Sequence, residues 1–474
     1  MVFHIHRPLH NVREYPYCTP RGSVQPFVEP ACPVGRALET SGGGAFENPV
    51  RIYDLRQHLT NLVQHSPPTY NHRMYVSHVE LSNFRNYVTL AIDVAPGLVV
   101  LRGPNAQGKT NFLEALFVLA TSRSPRTTRD RELVAWDVPI GDPPLSRFSA
   151  SVQRREGATT IEVLVMAQPD RPRGRDAAAE DRNGQTFLQG SGVQKRIRVN
   201  GVPRRAIDLL GMLRVVLFRP EDIELVGGSP SVRRRALDIL LSQGDRQYIR
   251  SLQRYGRVLQ QRNHLLRRVG EGTAAVDELA PWDQSLSVEG AYLLTRRRQA
   301  VERLALLAAA SHGPLSGESE RLEVSYQCSL HLPLNEDSDE AATAAAFREQ
   351  LRSGWRRDVS LGQTTTGPHR DDLEFLVDGA PAAVYGSRGQ QRTAALSWKL
   401  AEAGYLRETT GDDPVVLLDD VLSELDATRR RGVLDTALSY QQVFLTTTGA
   451  ELGGLKLAPA ATFDVMNGTL TRMS

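Results

Sequence analysis

The sequence predicts an α/β fold: mixed sheets with flanking helices, and a mainly helical lobe inserted between the two halves of a nucleotide-binding unit. Three observations predict it. The apolar run 98–101 leads into a Gly-x-x-x-x-Gly-Lys-Thr loop at 103–110, with helical spacing after it. Far downstream, the apolar run 415–418 ends in two aspartates. The interval between them is long and contains two extended helical patterns.

The loop at 103–110 predicts a phosphate site at a helix N-terminus. Two glycines let consecutive N–H groups point at one anion. Lys109 would place its charge between the β- and γ-phosphates, and Thr110 would offer a hydroxyl to Mg²⁺. We therefore expect ATP and Mg²⁺ as ligands. The expected nucleotide-binding residues are Gly103, Pro104, Asn105, Ala106, Gln107, Gly108, Lys109, Thr110 and Asn111.

The two aspartates predict the acidic half of the same site. Asp419 would bind the metal with Thr110, and Asp420 would position or activate the attacking water. With Lys109, they form the expected catalytic set. The segment that follows at once, Ser423, Glu424, Leu425 and Asp426, has the pattern of a D-loop, which crosses between two ATPase heads.

Composition limits the class of protein. The chain has 474 residues, enough for two or three domains. Its three widely spaced cysteines favour neither a disulfide framework nor a zinc site, so a reducing cytoplasm is expected. No run of about 18 apolar residues is present, so no membrane span is expected.

The charge is unevenly spread. The net charge is +3, but residues 195–268 hold 17 Lys and Arg against six Asp and Glu, a local +11. This asymmetry favours a polyanion-binding face, and a solvated helical surface is the alternative. The candidate DNA contacts are the arginines of this segment, Arg233, Arg234, Arg235, Arg250, Arg254 and Arg257.

The chain divides into four predicted segments. Residues 1–73 hold nine of the 27 prolines and predict a disordered extension. Residues 74–235 form the first part of the ATPase lobe, with a flexible insertion at 168–194. Residues 236–355 form helical lobe II, and 356–474 return to the ATPase lobe. Within them we expect paired strands at 76–81 and 88–94, a hairpin at 196–203, and helices at 245–268 and 288–310.

A further segment resembles a known motif. Ser387, Arg388, Gly389 and Gln390 precede a helical run and resemble the signature loop of ABC-type ATPases. In such heads, this loop covers the γ-phosphate held by the opposite monomer. The fold class is therefore an ABC-type P-loop ATPase head with an inserted lobe II. The resemblance implies a homodimer that forms on ATP.

The chain as a whole resembles the RecF family of SMC-like heads. The resemblance rests on LSNFRNY, GPNAQGKTNFLEA, RTTRDREL, FRPEDIELVGGSPSVRRRALD, TTGPHRDDL, SRGQQR and LLDDVLSELD. It implies a weak DNA-stimulated ATPase of recombinational repair and replication. Such a protein would bind gapped DNA or single-strand/double-strand junctions and help load RecA with RecO and RecR. Ala236, where the family has an aromatic residue, and residues 1–73 and 168–194 depart from the pattern.

Alternatives remain at this point. One is an SMC-like ATPase subunit of a nuclease or defence complex, and another is a transport ATPase. The roles of two motif residues are also open. Arg85 could face the nucleotide or a neighbouring strand. His369 in GPHRDD favours a loop-fixing hydrogen bonder over a catalytic base.

Overall fold

A computed structural model describes residues 74–136, 145–167, 179–180, 186–187, 193–330, 339–449 and 457–473. The predicted extension at 1–73 lies outside these residues. The predicted insertion at 168–194 also lies largely outside them, apart from two short strands that pair with each other.

Groups of strands and groups of helices are interspersed along the chain. The strands are β1 (Tyr75–Phe84), β2 (Tyr87–Asp93), β3 (Gly97–Arg102), β4 (Ser146–Arg154), β5 (Gly157–Ala167), β6 (Ala179–Glu180), β7 (Thr186–Phe187), β8 (Val193–Val199), β9 (Val202–Arg204), β10 (Val215–Phe218), β11 (Leu322–Gln327), β12 (Asp372–Val377), β13 (Ala380–Pro381), β14 (Val415–Leu418), β15 (Gln442–Thr447), β16 (Ala461–Met466) and β17 (Thr469–Arg472). The helices are α1 (Lys109–Thr121), α2 (Ala206–Leu209), α3 (Glu224–Gly227), α4 (Pro230–Gly244), α5 (Arg246–Gly270), α6 (Ala280–Ser316), α7 (Glu340–Leu361), α8 (Ala382–Tyr385), α9 (Arg388–Thr410) and α10 (Ala427–Ala437).

The central sheet positions the two nucleotide motifs. Its strand order is β10-β14-β15-β3-β16-β17, and all neighbouring strands except the last pair are parallel. Strands β14 and β15 are buried along their whole length, which explains the continuous apolar run of β14. Because β3 and β14 flank β15 and run in the same direction, the phosphate loop and the two aspartates emerge at one edge of the sheet.

A second, antiparallel sheet has the order β2-β1-β4-β5-β8-β9. It confirms the predicted strand pair β1–β2 and the predicted hairpin β8–β9. The hairpin turns through Asn200 and Gly201, both at positive φ (50° and 76°), as a two-residue type I′ turn requires. Helix α1 shares one hydrophobic core with this sheet and with the central sheet, and 11 of its 13 residues are buried.

Three long helices build lobe II. Helix α5 matches its predicted span and begins at Asp245, whose carboxylate accepts hydrogen bonds from the N–H groups of Gln247 and Tyr248. The second predicted helix, at 288–310, is the middle of a longer one. Helix α6 has 37 residues and is about 55 Å long. The prediction missed its first turns because Pro281 looks like a breaker, whereas proline is tolerated in the first turn of a helix.

The segment boundaries of the prediction fall inside helices. The position between residues 235 and 236 lies within α4, and the position between 355 and 356 lies within α7.

Candidate functional site

The phosphate loop connects β3 to α1, and its two glycines are required by the backbone. Gly103 has φ of 157°, and a Cβ there would lie 2.3 Å from the Val465 carbonyl oxygen. Gly108 has φ of 120°, and a Cβ there would lie 2.7 Å from Asn86 Nδ2. Both the conformation and the space exclude a larger side chain. The loop is therefore held in one shape by the strands and side chains around it.

Lys109 is the first residue of α1 and is largely buried. Its Nζ donates to the carbonyl oxygens of Gly103 (2.5 Å) and Pro104 (2.9 Å). The ammonium group thus lies across the loop, where phosphate oxygens at a helix N-terminus would be within its reach.

A hydroxyl and a carboxylate meet beside Lys109. Thr110 Oγ1 donates to Asp419 Oδ1 at 2.9 Å, and Thr446 Oγ1 donates to the same oxygen at 3.1 Å. Burial raises the pKa of the Asp419 carboxyl, and the hydrogen bonds from Thr110 and Thr446 oppose this rise. Hydroxyl and carboxylate oxygens are the protein ligands that Mg²⁺ accepts alongside nucleotide phosphates and water. The pair therefore fits Mg²⁺, which would neutralise charge on the β- and γ-phosphates.

Asp420 adopts a left-handed backbone conformation with φ of 52°. Its N–H donates to Thr446 Oγ1 at 2.8 Å, and its carbonyl oxygen accepts a hydrogen bond from Ser423. These contacts fix the turn, and the side chain of Asp420 lines the same cleft as Lys109 and Thr110. The position suits a carboxylate that orients a water molecule.

The cleft at this edge has a volume of about 500 Å³. It brings together most of the phosphate-loop residues with both aspartates and Thr446. Three further charged residues line it that the sequence did not single out, namely Arg126, Arg219 and Glu221. Arg126 belongs to the RTTRDREL segment, and Arg219 and Glu221 belong to FRPEDIELVGGSPSVRRRALD. The spacing within these segments does not show that they approach the phosphate loop.

The β1–β2 turn supports the phosphate loop from behind. Tyr87 donates its hydroxyl proton to the Gly108 carbonyl (2.9 Å), and Asn86 Nδ2 donates to the Gln107 carbonyl (2.9 Å). Asn86 also accepts a hydrogen bond from Asn111. Sequence reasoning missed both supports. The signal in the sequence was that Asn86 and Tyr87 both belong to the NFRNY segment.

Arg85 does not face the nucleotide cleft. Its guanidinium forms a bidentate pair with Glu114 of α1, at 2.9 and 2.7 Å. Glu114 is buried, and it also accepts a hydrogen bond from Ser124 and lies 3.4 Å from Arg126. This network connects the β1–β2 turn, the phosphate helix and the loop that carries Arg126.

The signature residues stand at the start of α9. Ser387 caps the helix: its Oγ accepts from the Gln390 N–H, and the Gln390 side chain accepts from the Ser387 N–H. Ser387, Arg388 and Gly389 are exposed. Among the residues that the structure describes, the lining of the nucleotide cleft includes none of the four signature residues.

The D-loop segment forms a turn and then begins α10. Asp426 caps α10 by accepting from the Arg429 N–H at 2.9 Å, and these contacts lower the pKa of its carboxyl group. Ser423 and Glu424 are exposed, whereas Leu425 is buried within its own chain. Arg429 also donates to Thr393 of α9 at 2.7 Å. The D-loop helix and the signature helix are therefore joined.

The prediction that all three arginines of the 233–235 run face DNA is wrong. Arg233 is buried and forms a bidentate pair with Asp372, at 2.6 and 2.8 Å. Arg234 is partly buried and donates to the Asp371 carbonyl oxygen. Arg235 is exposed and donates to the Ser124 carbonyl oxygen at 3.2 Å. Successive residues of a helix point about 100° apart, so one run cannot present all its side chains to one ligand.

The arginines of α5 lie on the surface. Arg250, Arg254 and Arg257 are all exposed. Arg254 pairs with Glu289 of α6 at 2.7 Å. Within the described part of the chain, Arg250 and Arg257 have no ion-pair partner, so they remain candidates for phosphate contacts.

His369 fixes the GPHRDD loop, as the sequence favoured. Its Nδ1 accepts from the Tyr255 hydroxyl at 2.7 Å, and its Nε2–H donates to the Thr364 carbonyl at 3.0 Å. Burial lowers the pKa of His369 to about 4. Both ring nitrogens are used in the neutral form, and the side chain lies outside the nucleotide cleft.

Within the described residues, no helix is both long and apolar enough to cross a membrane. No group of three or more His, Cys, Asp or Glu side chains in the described parts of the chain could hold a metal ion.

The fold and the site define an ATPase head of the SMC type. Residues 75–454 match the family described as the RecF/RecN/SMC N terminal domain. Within this class, the chain belongs to the RecF family of DNA replication and repair proteins. A RecF of Chloroflexus aggregans is 44% identical over 409 residues, covering 84% of this chain and 99% of the relative. A RecF of Chloroflexus aurantiacus is 47% identical over 386 residues, covering 79% and 93%.

Solved structures agree with this assignment. The recombination mediator protein RecF with ATPrS, described as part of the RecFOR pathway, superposes with a TM-score of 0.71 at 31% identity. The match covers 85% of this chain and 99% of that chain. The same mediator with ATP gives a TM-score of 0.72 at 30% identity, covering 86% and 100%.

Proposed function

We propose that this chain is an ATP-dependent DNA-binding protein of recombinational repair and replication. It binds ATP with Mg²⁺ in the cleft formed by the phosphate loop and Asp419, and it hydrolyses ATP slowly to ADP and phosphate. The observation that carries the proposal is the hydrogen bond between Thr110 and Asp419, because it places a metal-binding hydroxyl and carboxylate beside the phosphate loop.

ATP would also assemble a homodimer. Ser387, Arg388 and Gly389 are exposed, and among the described residues none of the four signature residues lines the cleft of its own chain. An ABC-type site needs them over the γ-phosphate. A partner's signature loop would complete each site, and the D-loop would pass between the two heads. The contacts between α9 and α10 support a coupled movement of both segments.

The family suggests the biological setting. The solved RecF relatives are described as recombination mediators of the RecFOR pathway. We propose that this chain likewise acts in the cytoplasm with RecO and RecR. It would bind gapped DNA or single-strand/double-strand junctions and help load RecA there.

ATP turnover with and without gapped DNA tests the proposal. We expect slow hydrolysis by the protein alone and faster hydrolysis with DNA at the same ionic strength. Turnover that requires Mg²⁺ and responds to gapped DNA would support the function. A chain that binds no ATP, or binds ATP with no response to DNA, would refute it.

A further inference from the structure

Four arginines that are poorly matched by acids lie together beside the nucleotide cleft. Three of them line a groove of about 270 Å³, together with a threonine pair and one acid: Arg126, Arg129, Arg235, Thr127, Thr128 and Glu132. The fourth, Arg123, lines a neighbouring cavity together with Arg235. We call this set the arginine groove.

The charges in the groove are only partly balanced. Arg129 is 84% exposed, and its nearest carboxylate is that of Glu132 at 4.0 Å. Arg235 donates to a backbone carbonyl, which leaves its charge unmatched. Arg126 lies near Glu114, but Glu114 already forms a bidentate pair with Arg85. Elsewhere on α4, Arg233 donates to both carboxylate oxygens of Asp372, so its charge is balanced within the chain.

The groove opens directly next to the nucleotide site. Arg126 lines both the nucleotide cleft and the groove. Arg235 also lines a second cavity of about 440 Å³, where it is joined by Arg123 and Arg234 and by apolar residues of α5. A basic path therefore runs from the phosphate loop along the start of α4 to lobe II.

We propose that the arginine groove binds the sugar–phosphate backbone of DNA. Several exposed guanidinium groups along a path suit a polymer with regularly spaced phosphates better than a single small anion. Thr127 and Thr128 would add hydroxyl donors of the kind that contact phosphate oxygens. This inference rests on the proposed DNA-binding function and replaces Arg233 with residues that the chain leaves exposed.

The test uses the double variant Arg129→Gln/Arg235→Gln in the full chain. Neither residue lines the nucleotide cleft. The affinity of the double variant for a fluorescent ATP analogue should therefore stay within about twofold of that of the unmodified protein. Affinity for gapped DNA, measured by fluorescence anisotropy with ATP present, should fall roughly 10- to 100-fold. The slope of log K against log salt should decrease by about 1.8, because two phosphate contacts are lost.

The matched control is Arg352→Gln/Arg357→Gln, which removes two exposed arginines of α7. It should bind DNA within about threefold of the unmodified protein. The proposal is overturned if the groove variant binds DNA as the unmodified protein does, or if the control loses as much affinity. A single charge reversal, Arg129→Glu, repeats the test with one change at a highly exposed position.

A competition experiment distinguishes a DNA-binding site from a site for small anions. Inorganic phosphate, at matched ionic strength, should displace DNA no better than chloride. Specific displacement by phosphate that disappears in the groove variant would identify a small-anion site and overturn the assignment. If the unmodified protein does not bind ATP, the result counts against the proposed function. Failure of the proposed function can therefore be distinguished from failure of the proposed DNA site.

Discussion

Thr110 Oγ1 lies 2.9 Å from Asp419 Oδ1, although 309 residues separate them in the chain. This contact closes the nucleotide site by joining the first turn of α1 to the end of β14. The entire lobe II is inserted between the two residues.

Lys109→Ala should weaken ATP binding. The substitution removes the charge that we propose faces the β- and γ-phosphates, and a hydrogen bond to a charged group contributes about 1.5–3 kcal/mol. We expect a loss of affinity of roughly 10- to 150-fold, measured by isothermal titration with ATP and Mg²⁺. Arg102→Ala is the matched control, because Arg102 pairs with Asp464 and does not line the cleft. Equal effects of both substitutions would contradict the role of Lys109.

Asp420→Asn should separate hydrolysis from binding. Asparagine keeps the size of the side chain but cannot take up the proton of the attacking water. Phosphate release should fall roughly 100-fold or more, the typical contribution of a general base. ATP affinity should change little, and the ATP-bound dimer should persist on DNA. Unchanged phosphate release would exclude Asp420 from water activation.

The pH dependence of stability should report His369. The pKa of His369 in the folded protein is about 4, below its ordinary value of 6.5. Between these values, the unfolded chain binds a proton that the folded chain does not. Folding is therefore weakened as the pH falls from about 6.5 towards 4. The penalty is absent above about pH 7.

The comparison with His369→Gln isolates this effect. From pH 7 to pH 5, the free energy of unfolding of the unmodified protein should drop by about 1–2 kcal/mol relative to the variant. Urea unfolding at the two pH values measures it. The variant cancels contributions from other groups, such as His312, whose pKa is also lowered by burial. A difference that stays constant between the two pH values would show that His369 is not held neutral.

Much of the nucleotide site was predictable from sequence because its residues lie in contiguous motifs. The loop at 103–110 and the end of β14 each carry their chemistry within a few residues. Their meeting follows from the rule that parallel strands of one sheet end at the same edge of that sheet. The signature residues 387–390 were likewise predicted to stand directly before a helix, and Ser387 is the N-cap of α9.

The supporting residues could not be predicted in the same way. Tyr87 and Asn86 act on the phosphate loop across about 20 residues, and no spacing rule connects a hairpin turn to a loop behind it. The prediction of DNA contacts for residues 233–235 was wrong for Arg233 because charge alone does not reveal which face of a helix is buried. Asp372, which neutralises Arg233, lies 139 residues away. An ion pair between residues so far apart in the sequence can be identified only from the folded structure.

The central claim is that ATP held by one chain is covered by the signature loop of another. Sedimentation velocity with ATP and without it tests this claim most directly. The unmodified protein should change from monomer to dimer when ATP and Mg²⁺ are added. Ser387→Arg should bind ATP yet remain a monomer, because a bulky side chain occupies the γ-phosphate contact. The control Ser360→Arg, an exposed serine on α7, should dimerise normally. If Ser387→Arg dimerises on ATP as the unmodified protein does, the shared-site account is contradicted.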